Sequence, residues 1–242
     1  MSKNTHTVIL LYMINKGTQI VRKLCNFSLA AGFVIAVAGG VGGSARADSI
    51  TSLFNTGVDA FGIPLGDGTI GDPHYTLVSV TAPSTTVVRV RTSAGGFPIP
   101  PYIGDDSVSA WIGPNNDNAL DSPVGNYDFK TTFDLTGYDA ASMAITGQWA
   151  ADNQGTDILV NGVSTGNTTT NGFGSFTSFS LSSGFVAGIN TLDFIEYNAG
   201  GPTALRVEMS GTANLSAVPE PASFGMLSLA LVGLVACGRK RA

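Results

Sequence analysis

The chain has 242 residues, with 12 Lys+Arg against 17 Asp+Glu, two histidines and two cysteines. All 17 acids lie between Asp48 and Glu220, where Arg89, Arg91, Lys130 and Arg206 are the only basic residues, so that stretch has a formal charge of −13. Such a field repels nucleic acid and anionic lipid and favours solubility, which excludes nucleic-acid binding.

The first element is a leader. Arg22 and Lys23 precede residues 24–41, which are apolar or small and carry no charge. Ser44-Ala45-Arg46-Ala47 then places small residues, Ala45 and Ala47, at the two positions a signal peptidase reads, so cleavage is expected before Asp48. Residues 1–47 are therefore predicted to be a signal peptide with a helical apolar core, an uncleaved amphipathic anchor being the competing reading. A second apolar patch at 8–14 makes the leader long. Met13 is an alternative start, from which Lys16, Arg22 and Lys23 form a basic head. Cys25 precedes the apolar core instead of following it and does not read as a lipid-acylation site. With Cys25 in the leader and Cys237 in the tail, residues 48–217 can form no disulfide, although export brings them into an oxidising compartment. Their stability must come from a core, which about 170 residues can build.

The interior reads as all-β. Short period-two runs occur at 75–80, 88–91, 129–135, 143–145, 176–181, 191–197 and 205–209, each with one apolar and one polar face. Turn formers separate them: Gly66-Asp67-Gly68, Asn115-Asn116-Asp117-Asn118, Asn161-Gly162 and Asn171-Gly172. Asn-Gly is a strong hairpin signal because both residues tolerate the positive φ of a type I′ turn. Phe97-Pro98-Ile99-Pro100-Pro101-Tyr102 is too proline-dense for a central strand and is expected to be an exposed loop or edge crossing. Many short strands with 31 glycines predict a β-sandwich.

Three segments sharpen that prediction. Thr146-Gly147-Gln148-Trp149-Ala150-Ala151-Asp152-Asn153 is followed by Ile158-Leu159-Val160-Asn161-Gly162, then by Gly188-Ile189-Asn190-Thr191-Leu192-Asp193-Phe194. A strand ending in Trp and Asp-Asn, a strand with an Asn-Gly turn, and Gly-x-Asn-x-Leu-x-Phe resemble the galactose-binding-like jelly roll over residues 107–212. The resemblance implies a jelly-roll sandwich of a kind common in secreted sugar-binding modules, with residues 50–104 supplying its first strands.

Candidate chemistry is sparse. His74 is the only histidine after Asp48, no cysteine remains there, and no Gly-x-Ser-x-Gly occurs, so the domain is expected not to be an enzyme, with His74 a loop residue contacting backbone or water. The acids fall mostly in Gly- and Asn-rich turns, where they act as turn formers. Asp152-Asn153-Gln154-Gly155-Thr156-Asp157 offers oxygen ligands around a glycine, so Asp152 and Asp157 are candidates for a structural Ca²⁺, against the simpler reading that Asp152 and Asn153 only cap a turn. Asp105-Asp106 and residues 115–118 are similar in kind. The resemblance also makes a structural Ca²⁺ plausible; no other cofactor is expected. Sugars stack on aromatic rings while polar groups take their hydroxyls, so Trp111 and Trp149, beside polar loops, are ligand candidates together with Asp152 and Asn153. A core role is the alternative for both rings, whereas Tyr102, Tyr127 and Tyr138 lie in turn-like contexts and are expected to be exposed.

The last element is a tail. Val218-Pro219-Glu220-Pro221 must be extended, because two prolines around a glutamate cannot join a helix or a central strand. Residues 222–238 are almost wholly apolar, long enough for a transmembrane helix given a span of about 17–25 residues. Arg239-Lys240-Arg241 should hold its end in the cytoplasm. This order, over residues 218–242, resembles the PEP-CTERM sorting tail of Gram-negative bacteria. The resemblance implies processing by an exosortase-type membrane protease, an inner-membrane intermediate, and delivery to the cell surface or extracellular matrix. Two functions from different classes follow: a module holding extracellular polysaccharide, or a structural matrix component with no specific small ligand.

Processing gives the first prediction: the mature protein begins at Asp48 and lacks Arg239, Lys240 and Arg241. Intact-mass measurement of the exported form checks it, and a form retaining the basic end would leave a plain membrane anchor.

Overall fold

The computed structural model describes residues 46–79, 87–114 and 122–216; the leader core, the 115–118 turn and the tail helix expected above lie outside them. Eleven strands are present in these segments: β1 (Ala47–Ser49), β2 (Tyr75–Ser79), β3 (Val88–Arg91), β4 (Trp111–Pro114), β5 (Gly125–Asp134), β6 (Ala144–Asp152), β7 (Gln154–Val160), β8 (Val163–Ser164), β9 (Thr177–Leu181), β10 (Ile189–Asn198) and β11 (Ala204–Asn214). They form two antiparallel sheets. One runs β3-β4-β11-β6-β9, with β1 pairing the far end of β11; the other runs β2-β5-β10-β7-β8. From β4 onward the chain passes from sheet to sheet, interrupted only by the β7–β8 hairpin. That weave makes the molecule a β-sandwich of the jelly-roll type.

Period-two alternation puts one face of each strand inside. Tyr127, Phe129 and Phe133 of β5 meet Leu192 and Phe194 of β10 across from Ile145, Trp149 and Ala151 of β6 and Leu205 and Val207 of β11, all buried. The Asn161-Gly162 turn between β7 and β8 forms as expected, both residues with positive φ (51° and 79°) and Val160 paired with Val163. Deleting the Trp149 ring, which lies 5.8 Å from the Phe194 ring in this core, removes its largest packing unit.

A second apolar cluster lies on the outer face of the β11 sheet. Trp111, Ala150 and Ala204 have the opposite parity to Ile112, Trp149 and Leu205, and so point away from the core. Phe97, Tyr102, Ile103, Phe173 and Phe176 close over them. The proline-dense segment forms no strand and exposes Ile99, Pro100 and Pro101 as expected, but its two ends, Phe97 and Tyr102, pack onto the sheet face. Arg206 of β11 anchors this cover. Its fully buried guanidinium donates from Nη1 to Gly104 O (2.6 Å), from Nε to Ser109 Oγ (2.7 Å) and from Nη2 to Ser109 O (3.1 Å). It pairs with Asp106 at 2.6 Å and Glu208 at 3.6 Å, and sits 5.4 Å from the Phe176 ring centroid.

Glu196 and Asp152 are buried without a cation, and Asp128 is half-buried beside one. Glu196 of β10 has the parity of the core residues and accepts one bond, from Thr203 Oγ1 (3.2 Å); burial pushes its carboxyl well above the usual range. Burial likewise raises Asp152 to about 6, against an opposing hydrogen bond from Tyr102. On the outer face of the β10 sheet, partial burial and then the Asp193 carboxylate raise Asp128 to about 7, against the opposing charge of Lys130.

Two predictions follow. Trp149→Ala should cost about 3–5 kcal/mol of stability, on the scale of large aromatic deletions, as read from thermal melts. The raised carboxyls fix the sign of the pH dependence. The unfolded Asp152 releases its proton near 3.8 but the folded one near 6, so the folded state holds more protons in that window and stability falls as pH rises through it. Glu196 and Asp128 extend the fall to higher pH. The triple variant Asp128→Asn, Asp152→Asn, Glu196→Gln should flatten the Tm profile between about pH 4 and pH 8; a parent profile that rises over this range would contradict the assignment.

Candidate functional site

Among the sequence candidates, Ala45, the Val218-Pro219-Glu220-Pro221 motif and Arg239, Lys240 and Arg241 lie outside the described residues. Ala47 falls in β1, opposite Asn214 of β11.

Trp111 and Trp149 do not serve as ligand platforms. Both rings are fully buried. Trp111 opens β4 and donates from Nε1 to Ile103 O (2.9 Å), with its ring edge-on to Tyr102 and Phe97. The tyrosines also differ from expectation: Tyr127 is buried, its hydroxyl donating to Pro123 O (2.8 Å), and Tyr102 and Tyr138 are half-buried. Tyr102 stacks on Phe173 with ring centroids 4.2 Å apart and bonds through its hydroxyl to Asp152 Oδ2.

The segment from Asp152 to Asp157 is not an open loop. Asp152 ends β6 in one sheet and Gln154 starts β7 in the other, so Asn153 alone makes the passage. Its backbone N–H donates to Tyr197 O (3.0 Å), and its Oδ1 accepts from Ala199 N (2.5 Å). Asp157 is a strand residue whose carboxylate caps the next turn, accepting from Ile158 N (2.8 Å), Gly166 N (3.0 Å) and Ser164 Oγ. Asp152 is buried, with Oδ1 lacking a hydrogen-bond partner among the described residues. The two carboxylates therefore sit on different sheets in different bonds. Among the described residues no group of three or more His, Cys, Asp or Glu side chains could hold a metal ion. Asp105 is likewise engaged, accepting from Ser93 N (2.9 Å) and Oγ (2.6 Å). His74 behaves as expected of a loop residue, stacked on Phe54 with its Nε2 3.1 Å from Asp59 O.

What sequence reasoning missed is a groove of about 560 Å³ on the β11 sheet. Thr146 and Gln148 of β6, Ser178 of β9, and Glu208 and Ser210 of β11 line it, with Asn55 at its border. Register explains the set: Gln148 pairs with both Glu208 and Ser178, and Thr146 with Ser210, so five polar side chains share one face across three strands. The alternation that marks Ile145, Trp149 and Val207 as core also marks these residues as outward, but it does not tell a ligand face from a solvated one. Gln148 Nε2 donates to Glu208 Oε2 (2.7 Å) and Ser109 Oγ to Glu208 Oε1 (2.8 Å), which fixes the carboxylate. Asn55 is held at both ends of its amide, Nδ2 donating to Val108 O (3.1 Å) and Oδ1 accepting from Met209 N (2.8 Å). The result is a preset array of amide, hydroxyl and carboxylate groups with no nucleophile–base pair. Such an array can exchange hydrogen bonds with a hydroxyl-rich ligand.

Among solved structures the chain is similar to a CBM35 from Paenibacillus barcinonensis, at 15% identity over 60% of this chain and 98% of that one, with a TM-score of 0.32. It is also similar to a GH26-CBM35 β-(1,4)-mannanase from Podospora anserina, at 16% identity over 61% of this chain and 29% of that one, with a TM-score of 0.31. No curated protein sequence matches it. The jelly-roll assignment rests on the strand order described above. Residues 217–241 match the PEP-CTERM protein-sorting motif, so the tail with its Pro219-Glu220-Pro221 and its basic end is that sorting signal, and the chain is one exported and sorted to the cell surface.

Proposed function

We propose that this exported surface protein binds extracellular polysaccharide along the groove formed by Gln148, Glu208, Thr146, Ser178 and Ser210. The observation that carries the reading is the fixed Gln148–Glu208 pair at the centre of an open, hydroxyl-lined face. An oriented amide and carboxylate can take sugar hydroxyls as donors and as acceptors, and neighbouring Ser and Thr hydroxyls rotate to suit. Binding without turnover fits a set of side chains that lacks an activated nucleophile. An exosortase-type protease would process the tail and leave the domain displayed.

One observation favours a second reading, a structural surface component with no specific ligand. Both tryptophans are spent on packing, so the large rings that most often stack on sugars are unavailable. A glycan array probed with the exported form, with EDTA and with added Ca²⁺, separates the two. Binding to at least one polysaccharide, reduced about tenfold (~1.4 kcal/mol) by Gln148→Ala, is the expected result. An empty array would leave the structural role.

A further inference from the structure

Phe61 is the most exposed large apolar side chain among the described residues, at 87%. Its backbone is nevertheless fixed by hydrogen bonds. Asp59 Oδ1 accepts from the backbone N–H groups of Phe61 (2.8 Å) and Ile63 (2.9 Å). Asp59 N donates to Ile63 O (2.9 Å) and Gly62 N to Asp59 O (3.0 Å), with Gly62 at φ +78°, a left-handed position that suits glycine. A bridge between Val58 and Pro64 closes the base. An Asx-type turn of this kind fixes the backbone and so presents the ring at low entropic cost to a partner.

The ring borders a second cavity, of about 320 Å³, lined also by Thr51, Phe54, Asn55 and Met209. Asn55 and Met209 line the 560 Å³ groove as well, so the two cavities are neighbours on either side of those residues. Each lies within the range of about 300–1,000 Å³ typical of small-molecule sites. One supplies amide, carboxylate and hydroxyl groups; the other supplies the exposed aromatic face that the first lacks.

Building on the polysaccharide reading above, we infer that Phe61 is the stacking platform of this groove and that the ligand is an internal stretch of an uncharged polysaccharide chain. One sugar unit lies with its apolar face on the Phe61 ring, and following units run past Asn55 to the Gln148–Glu208 pair. Two neighbouring cavities that share Asn55 and Met209 suit consecutive units of a chain better than a single terminal sugar. Charge selects the neutral class. Glu208 is the groove's acid, its nearest cation Arg206 is shared with Asp106, and the −12 charge of residues 48–217 repels uronate-rich polymers.

Affinity electrophoresis of the full-length chain in mild detergent tests this, in gels containing dextran, mixed-linkage β-glucan, galactomannan or alginate. The parent should be retarded by at least one neutral polymer and not by alginate. Phe61→Ala should weaken that retardation at least tenfold with an unchanged melting temperature, and Phe61→Trp should restore it. A hexasaccharide of the retarding polymer should compete at least tenfold better than its monosaccharide. If Gln148→Ala loses retardation while Phe61→Ala keeps it, the groove stands and the role of Phe61 falls. Equal competition by monosaccharide, or retardation by alginate alone, overturns the internal neutral chain. Loss of a self-associated species in Phe61→Ala, seen by sedimentation with retardation intact, would make the ring a protein contact instead. No retardation of the parent by any polymer removes the polysaccharide reading and this inference together.

Discussion

A single buried guanidinium organises the outer face of the β11 sheet. Arg206 has no exposed surface, and its donors reach two backbone carbonyls, one hydroxyl and two carboxylates, on residues 104–109 and on its own strand. Removing one partner of a buried ion pair strands the other in a low dielectric, at about 3–5 kcal/mol. The segment from Gly104 to Ser109, the Phe176 ring and the Glu208 carboxylate are thereby held to one another. The proline-dense crossing that ends at Tyr102 depends on the same anchor, and so does the wall of the groove. In a domain with four cations, placing one wholly inside is costly, and what it secures is the orientation of Glu208.

The core was legible because alternation is a local property. The runs at 75–79, 88–91, 129–134 and 205–209 lie in strands β2, β3, β5 and β11, and Asn161-Gly162 turns as its φ preferences require. Events that depend on distant partners were not legible. Asp152 and Asn153 look like the start of a loop, but hydrogen bonds to residues 197–199 pull the chain directly into the opposite sheet. Trp111 has the polar neighbours of a rim residue, yet residues 97–103 fold back and cover it. Phe61 sits in a short segment with no strand pattern, and only the three-dimensional turn around Asp59 sets its ring apart from a core aromatic. The groove residues were visible as outward-facing but not as a set, because register between β6, β9 and β11 is fixed over sequence separations too long to read.

Acid excess shapes the interior as well as the surface. Glu196 and Asp152 are buried near one another with an oxygen each left unpartnered among the described residues, and burial keeps them protonated beyond their usual range. On the outer face of the β10 sheet, Lys130 sits 2.9 Å from Asp193, while Asp128 beside it is raised to about 7. A domain so poor in cations accommodates buried carboxyls by holding protons. Its folded state is thus linked to the acidity of the medium it is exported into.

The strand that leads toward the sorting tail is also the central strand of its sheet and carries Arg206, Glu208 and Ser210. Its last residues pair with β1, so both ends of the domain emerge side by side at the same pole. Tension between a tethered tail and a polymer lying in the groove would therefore enter β11 directly. It would load the hydrogen bonds on both flanks of that strand together, in shear, instead of unzipping them singly from an edge. The architecture would place such a load on a strand paired along both flanks.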